Sequence, residues 1–397
     1  MPSSKQIEKA NAALDQFTIE LPSWGFANTG TRFGKFIQPS AATTIEEKIA
    51  DAGIVHRVTG CCPSVAVHVL WDFPKRVAGV PEVLKAAAAN GVRIGAINPN
   101  VFQDQRYKNG SLGNPDAEVR QAALSHILDS IEIQRATGSR DLSLWFADGL
   151  SYPGSGSIRA RKAHFVGGLK AVHSALSSDQ RMLVEYKPFE PAFYATDIAD
   201  WGMSYILCKH SGSRAKVLVD TGHHYQTQNI EQIVAWLLSE DMLGGFHFND
   251  RRYADDDLTL GCIDPYQVFR IFHEVCYYIW ETAKTPDVAY MIDQSHNLKN
   301  KIEETIQTAN NAQELFLKAT LVDHEQLEVH QAKGNLIDAE ETLRSAFFTD
   351  VRPILQEWRT SKGLPRDPLT AFRESGYLER AEHARAQKNA GAVSSYA

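Results

Sequence analysis

The chain has 397 residues, 43% of them hydrophobic and 22% charged, with a formal net charge of −7. That composition can bury a sizeable core, as one large domain with an appendage or as two ordinary ones. No apolar run approaches the ~20 residues of a membrane span, and an acidic balance without a stripe of Lys and Arg argues against nucleic acid as a partner.

The opening stretch, MPSSKQIEKANAALDQF, is polar and amphipathic and lacks the apolar run of a secretory signal. Five cysteines (Cys61, Cys62, Cys208, Cys262, Cys276) show neither CxxC spacing nor the density of a disulfide framework. Both features predict a cytoplasmic protein. Eight short runs rich in Val, Ile, Leu and aromatics then read as buried parallel strands: 19–25, 65–72, 93–102, 141–149, 181–187, 216–224, 243–250 and 289–297. Between them lie stretches with helical spacing, including 44–57, 116–137, 159–177, 228–240, 264–283 and 301–320. Parallel strands need crossover helices, and eight rounds with no GxGxxG after the first strand predict an α/β fold of the (β/α)8 TIM-barrel type rather than a doubly wound sheet. The strand signal stops at 320. Residues 1–320 therefore read as the barrel and 321–397 as a C-terminal helical arm making inter-subunit contacts, with 386–397 as a frayed tail.

Nearly every run begins apolar and ends polar or aromatic: Trp24, His68, Asn100 with Phe102, Trp145 with Asp148, Glu185 with Lys187, Asp220, His247 and Asp293. In a parallel barrel those ends share one face, where active sites are built. The last four strands thus bring three carboxylates and an imidazole to one mouth. At ~5 Å and an effective dielectric near 20, each carboxylate pair repels by roughly 3 kcal/mol, so either their pKa values rise or a cation sits among them. The donor set suits Mn, Co or Zn, with Mg less favoured by the nitrogen ligand. A second group stands beside the first: His223, three residues after Asp220, and Asp255 and Asp257, whose i, i+2 spacing in an extended segment points both side chains one way and Asp256 the other. Five carboxylates carry five negative charges, which two divalent cations nearly balance.

The segment EYKPFEP at 185–191 resembles the E-x-K-P-x-E-P motif of bacterial xylose isomerases, and Asp220-x-x-His223, His247, Asp255-x-Asp257 and Asp293 follow that family's two-metal order. Acids usually stand there where this chain has Asp220 and His247, Glu at the former and Asp at the latter. PSWG…GTRF (22–33), VAVHVLWD, EPAFY (190–194), LVDTGHH, GGFHFND, MIDQSHN and TDV-PIL (349–355) resemble segments of the Pseudomonas-type L-rhamnose isomerases, nearly along the whole chain. Tyr186 stands where that family carries His.

The resemblance implies that Glu185, Asp220, His247 and Asp293 hold a substrate-binding ion and that His223, Asp255 and Asp257 hold a catalytic one, with Mn2+ favoured and Co2+, Zn2+ or Mg2+ as alternatives. It further implies that Lys187 bonds a sugar oxygen, that His68 helps open the ring or orient the substrate, and that Trp24, Phe102 and Trp145 form apolar walls. Phe33 would come from a neighbouring subunit of a homotetramer. The expected activity is aldose–ketose isomerisation, L-rhamnose to L-rhamnulose, by a metal-assisted hydride shift with Lys187, Asp293 and His68 at the chemistry. The rivals are a ketose 3-epimerase on the same barrel, a metal-dependent hydrolase of the endonuclease IV type and a non-catalytic sugar-binding barrel.

Overall fold

A computed structural model describes residues 4–28, 36–190, 194–295 and 298–390. The barrel strands are β1 (Leu21–Pro22), β2 (Ser64–His68), β3 (Arg93–Asn98), β4 (Asp141–Leu144) and β5 (Arg181–Glu185). A two-stranded antiparallel ribbon follows, β6 (Phe189–Glu190) with β7 (Tyr194–Ala195), and then β8 (Ala215–Asp220), β9 (Leu243–Phe248) and β10 (Ala289–Ile292). The eight barrel strands pair in parallel in the order β1-β2-β3-β4-β5-β8-β9-β10. A parallel bridge between Glu20 and Met291 closes the ring, with the Glu20 amide donating to Tyr290 and the Ile292 amide donating to Glu20.

Six of the eight strands fall inside the runs read from sequence, β2 and β8 begin one residue earlier, at Ser64 and Ala215, and each strand is shorter than its run. Once past the barrel wall the chain leaves the ladder: after β1 it turns into a 3-10 turn, Ser23–Phe26, and after β2 directly into a one-turn helix, Val69–Asp72. Crossover helices fill the intervals: α2 (Ile45–Thr59), α4 (Val80–Ala89), α5 (Ala117–Thr137), α6 (Ile158–Ala175), α7 (Trp201–Ser211), α8 (Ile230–Ser239), α9 (Pro265–Thr282) and α10 (Lys301–Thr320). The numbering counts an N-terminal helix, α1 (Ser4–Gln16), and the one-turn Val69–Asp72 as α3. Their boundaries follow from capping chemistry. Asp116 accepts from the Glu118 amide at the start of α5, Asn300 accepts from Ile302 and Glu303 at the start of α10, and Gly60 and Gly138 end α2 and α5 with left-handed φ of 76° and 69°.

Side chains alternate along each strand, and this places the site. Inside the barrel, Ala66, Ala96, Leu183, Leu218 and Met291 pack beneath Trp24 as a small buried cluster separate from the main core. Two residues on, facing the same way, stand His68, Asn98, Glu185, Asp220 and Asp293. The apolar layer is thus the floor and the polar layer the working surface.

After α10 come α11 (His324–Ala332), α12 (Leu336–Phe347), α13 (Arg352–Ser361), α14 (Pro368–Glu374) and α15 (Tyr377–Ala390). The extension returns to its own barrel. Trp358 Nε1 donates to Asp15 at 2.8 Å, and Arg385 on α15 makes a two-pronged bond to buried Asp51 on α2 at 2.8 and 2.9 Å. Residues 386–390, read from sequence as part of a frayed tail, are the last turn of α15. Asn389 there bonds the carbonyls of Pro39 and Ala41 and the amide of Asn28, which holds the turn in place.

Candidate active site

Four side chains from consecutive barrel strands converge at the C-terminal mouth. One ligand atom each from Glu185, Asp220, His247 and Asp293 falls within 4.8 Å of the others, and Asp220, His223 and Asp255 form a second such group. Asp220 is common to both. His247 Nδ1 lies 3.3 Å from Glu185 Oε2 and 3.9 Å from Asp293 Oδ2, and His223 Nε2 lies 3.3 Å from Asp255 Oδ2.

Asp220 is oriented by its own loop. Its Oδ1 accepts from the Gly222 amide at 2.7 Å and from Asn249 Nδ2 at 3.0 Å, while its buried Oδ2 has no hydrogen-bond partner among the described residues. Gly222 cannot be replaced without cost, since a Cβ there would lie 2.4 Å from Asn249 Oδ1 and 2.9 Å from Asp255 Oδ1. His223 gives Nδ1 to the Tyr186 carbonyl at 3.0 Å and so aims Nε2 at the carboxylates. Tyr186, fully buried, shares its hydroxyl proton with His224 Nε2 at 2.6 Å.

The electrostatics of this set ask for positive charge. Burial, together with Glu185, Asp255 and Asp293, pushes Asp220 up to about 7 although His223 opposes it. Burial disfavours charge on both rings, yet Asp220 and Asp255 around His223, and Glu185, Asp293 and Asp220 around His247, raise both histidines to about 9. With protein groups alone, the cluster takes up protons to balance its acids. Among the described residues Asp220 Oδ2 and both ring nitrogens of His247 are buried without a hydrogen-bond partner, Nδ1 having charge contacts alone, the nearest with Glu185, and such atoms fit a divalent cation.

The other half of the mouth is aromatic. Ring contacts run from Trp24 through His68, Trp71 and Phe102 to Trp145, with centroids 4.1 to 6.1 Å apart. Trp24 Nε1 donates to Asp293 Oδ1 at 2.8 Å, joining the wall to the acid cluster. Lys187, buried, spans the other junction, 2.7 Å from Asp255 Oδ2 and 5.3 Å over the Trp145 ring. Burial first, then the charges of Lys48 and His247, lower His68 to about 3, so its ring is neutral. His68 Nδ1 and Trp145 Nε1 have no hydrogen-bond partner among the described residues. Phe102 also borders a cleft of about 480 Å3 lined by Gln103, Tyr107, Leu150, Tyr152 and Arg161.

Of the residues singled out by sequence, Glu185, Asp220, His223, His247, Asp255, Asp293, Lys187, His68, Trp24, Phe102 and Trp145 meet at this mouth. Asp257 is buried close by but does not join either group of ligand atoms. Its backbone has φ 50°, so the 255–257 segment is not extended and the i, i+2 argument does not hold there. Asp256 instead accepts the amides of Arg252 and Tyr253 at 2.6 and 2.7 Å and shapes the loop. Phe33 lies outside the described residues. Sequence reasoning missed Trp71, which sits three residues beyond His68 on a helical turn read as strand, and Asn249, two residues beyond His247 on the inward face.

A family model described as a xylose isomerase-like TIM barrel matches residues 64–308. The chain is 39% identical over 377 residues to a protein of Mesorhizobium japonicum named "probable sugar isomerase", covering 94% of this chain and 86% of that one. A Rhizobium meliloti protein with the same designation is 38% identical over 379 residues, at 94% and 87% coverage. Among solved structures, a D-psicose 3-epimerase superposes with a TM-score of 0.51 at 14% identity, over 75% of this chain and 96% of that one. The 3-keto-D-glucoside 4-epimerase of E. coli gives 0.53 at 13% identity, over 75% and 99%; at such identities the likeness is one of fold. By sequence match and by its eight-stranded closed sheet, this chain belongs to the xylose isomerase-like TIM barrel family.

Proposed function

We propose that the protein is a divalent-metal-dependent aldose–ketose isomerase, acting on L-rhamnose to give L-rhamnulose and tolerating other aldoses such as D-allose. The observation that carries the reading is the pair of carboxylate–imidazole groups sharing Asp220 opposite an aromatic wall. Glu185, Asp220, His247 and Asp293 would hold one ion, and Asp220, His223 and Asp255 with Asp257 nearby the other. The mixed carboxylate and imidazole donors suit Mn2+, Co2+ or Zn2+, with Mg2+ less favoured by the nitrogen ligands, and Mn2+ is the ion the family resemblance favours. Two such cations supply polarisation of the sugar carbonyl and a grip on neighbouring oxygens.

The chain's own residues do the rest. Lys187 donates to the oxygen on which negative charge develops. His68, neutral, accepts a hydrogen bond from a sugar hydroxyl through Nδ1 and so orients the substrate, and Trp145 Nε1 offers a donor to another hydroxyl. Trp24, Trp71 and Phe102 cover the apolar edge of the sugar and exclude water. The acids at the reacting end are committed to cations, which leaves no free base to lift a proton from carbon and favours hydride transfer from C2 to C1. The far end of the sugar would face the aromatic wall and the roomy cleft beyond Phe102, which suits tolerance of several aldoses. Neighbouring subunits of a homotetramer would complete the pocket, with Phe33 of one reaching into the mouth of the next.

The test is an aldose panel assayed with metal-free protein and after addition of Mn2+, Co2+, Zn2+ or Mg2+. Conversion of L-rhamnose should vanish with EDTA and return with Mn2+, and label at C2 should be retained at C1. Washout of that label into solvent would overturn the hydride route. The likeness to 3-epimerase structures motivates a second reading, so ketoses belong in the same panel; epimerisation at C3 without aldose conversion would replace the isomerase reading.

A further inference from the structure

Lys187 and Asp255 are both assigned above, but to different tasks: the lysine to a sugar oxygen and the aspartate to the second cation. Yet the two are in direct contact, with Nζ 2.7 Å from Asp255 Oδ2, each side chain at most 7% exposed. That same Oδ2 is the atom 3.3 Å from His223 Nε2. Beside them lies a water-sized space of about 20 Å3 lined by Lys187, His223, Asp255 and Tyr253. One carboxylate oxygen thus faces two positive claimants, a buried ammonium already on it and the cation that it would hold jointly with His223 and Asp220.

We propose that Lys187 competes with the second cation for Asp255, so that this ion is seated fully only when a sugar oxygen draws the lysine away. The inference rests on the two-cation reading of the site. Three features support it. Lys187 has somewhere to go, because its Nζ already faces the Trp145 ring, 5.3 Å from the centroid, and can shift along the aromatic wall. The ammonium cannot retreat into solvent, being buried. A divalent ion brought within a few ångströms of it would repel it strongly in so dry a site. Ion and sugar would therefore bind with positive linkage, each raising the other's affinity by the same factor. Empty protein would keep its second ion loosely.

The test titrates metal-free protein with Mn2+, followed calorimetrically and by the spin signal of free Mn2+, with and without a saturating open-chain polyol of the substrate's length. Such a polyol carries the hydroxyls but cannot be isomerised. The wild type should bind its second ion about tenfold or more tightly in the presence of the polyol than without it. Lys187→Met keeps the stem and removes the charge; it should bind the second ion about tenfold more tightly than wild type with no polyol, and the linkage should collapse to within about twofold. The comparison without polyol decides the matter even if the polyol binds poorly. Equal second-ion affinity in Lys187→Met and wild type, or weaker affinity in the variant at unchanged thermal stability, overturns the competition. Fewer than two ions bound to wild type under every condition overturns the two-cation reading itself, and the inference with it.

Discussion

Asp220 is the residue on which the two groups of ligands hinge, and its orientation is set by two donors that are not ligands, the Gly222 amide and Asn249. Removing the amide frees the carboxylate to rotate away from the direction in which Oδ2 serves both groups. Asn249→Ala should weaken Mn2+ binding by about 10- to 100-fold, the usual cost of losing an outer-shell partner. Calorimetric titration measures this, and an unchanged affinity would mean that the Gly222 amide suffices. The histidines give a second prediction. At pH 7.5 His223 and His247, raised to about 9, carry protons that ligation must expel. Cation binding should release about two protons, and apparent affinity should climb with pH until it levels off near 9. A pH-indicator titration in weak buffer that shows no release would contradict it.

At the level of elements, the strands were legible because each is a short apolar run, aliphatic or aromatic, that ends in a polar or aromatic residue where the parallel strands open onto one face. Glu185, Asp220 and Asp293 could be placed on that ground alone. Two helices were not found. VPEVLKAAAA (80–89) carries little apolar periodicity beyond its alanines, and WGMSYILCKHS (201–211) mixes Gly, Ser, Cys and aromatics that read equally as strand. Nor could alternation foresee that the chain after β2 coils into a helical turn, which is why Trp71 escaped notice. That turn is held by Asp72, wholly buried, which accepts from Lys48 at 2.7 Å, Ser23 at 2.6 Å and the His68 amide at 2.9 Å. One carboxylate thereby ties α2 to both pieces that carry Trp24 and His68. Lys48→Met leaves that buried charge without its cation, so stability should fall by about 3 kcal/mol and KM for the sugar should rise more than kcat falls. Urea unfolding with steady-state kinetics measures both; unchanged KM would show that the wall needs no such tie.

For the molecule as a whole, closure is the costly event. The first strand must find the last, since Glu20 pairs with Met291, and α15 must then find α2. Asp51 is so thoroughly buried that its carboxyl is raised to about 6 even with Arg385 and Tyr377 bonded to it. Removing the arginine strands it: Arg385→Met should destabilise the protein by about 3–5 kcal/mol, and Asp51→Asn on top should recover part of the loss. Thermal unfolding of the single and double variants checks this, and additive losses would rule out the direct pair.

Asn28, at the rim just beyond β1, meets Asn389, 361 positions later. At roughly 5–20 residues per second, a ribosome needs tens of seconds to cover that distance. For all that time the newborn rim has no partner on α15. A message cut short before the codon for Asn389 would still yield eight strands and every side chain of the two carboxylate–imidazole groups, yet leave one lip of the mouth untied.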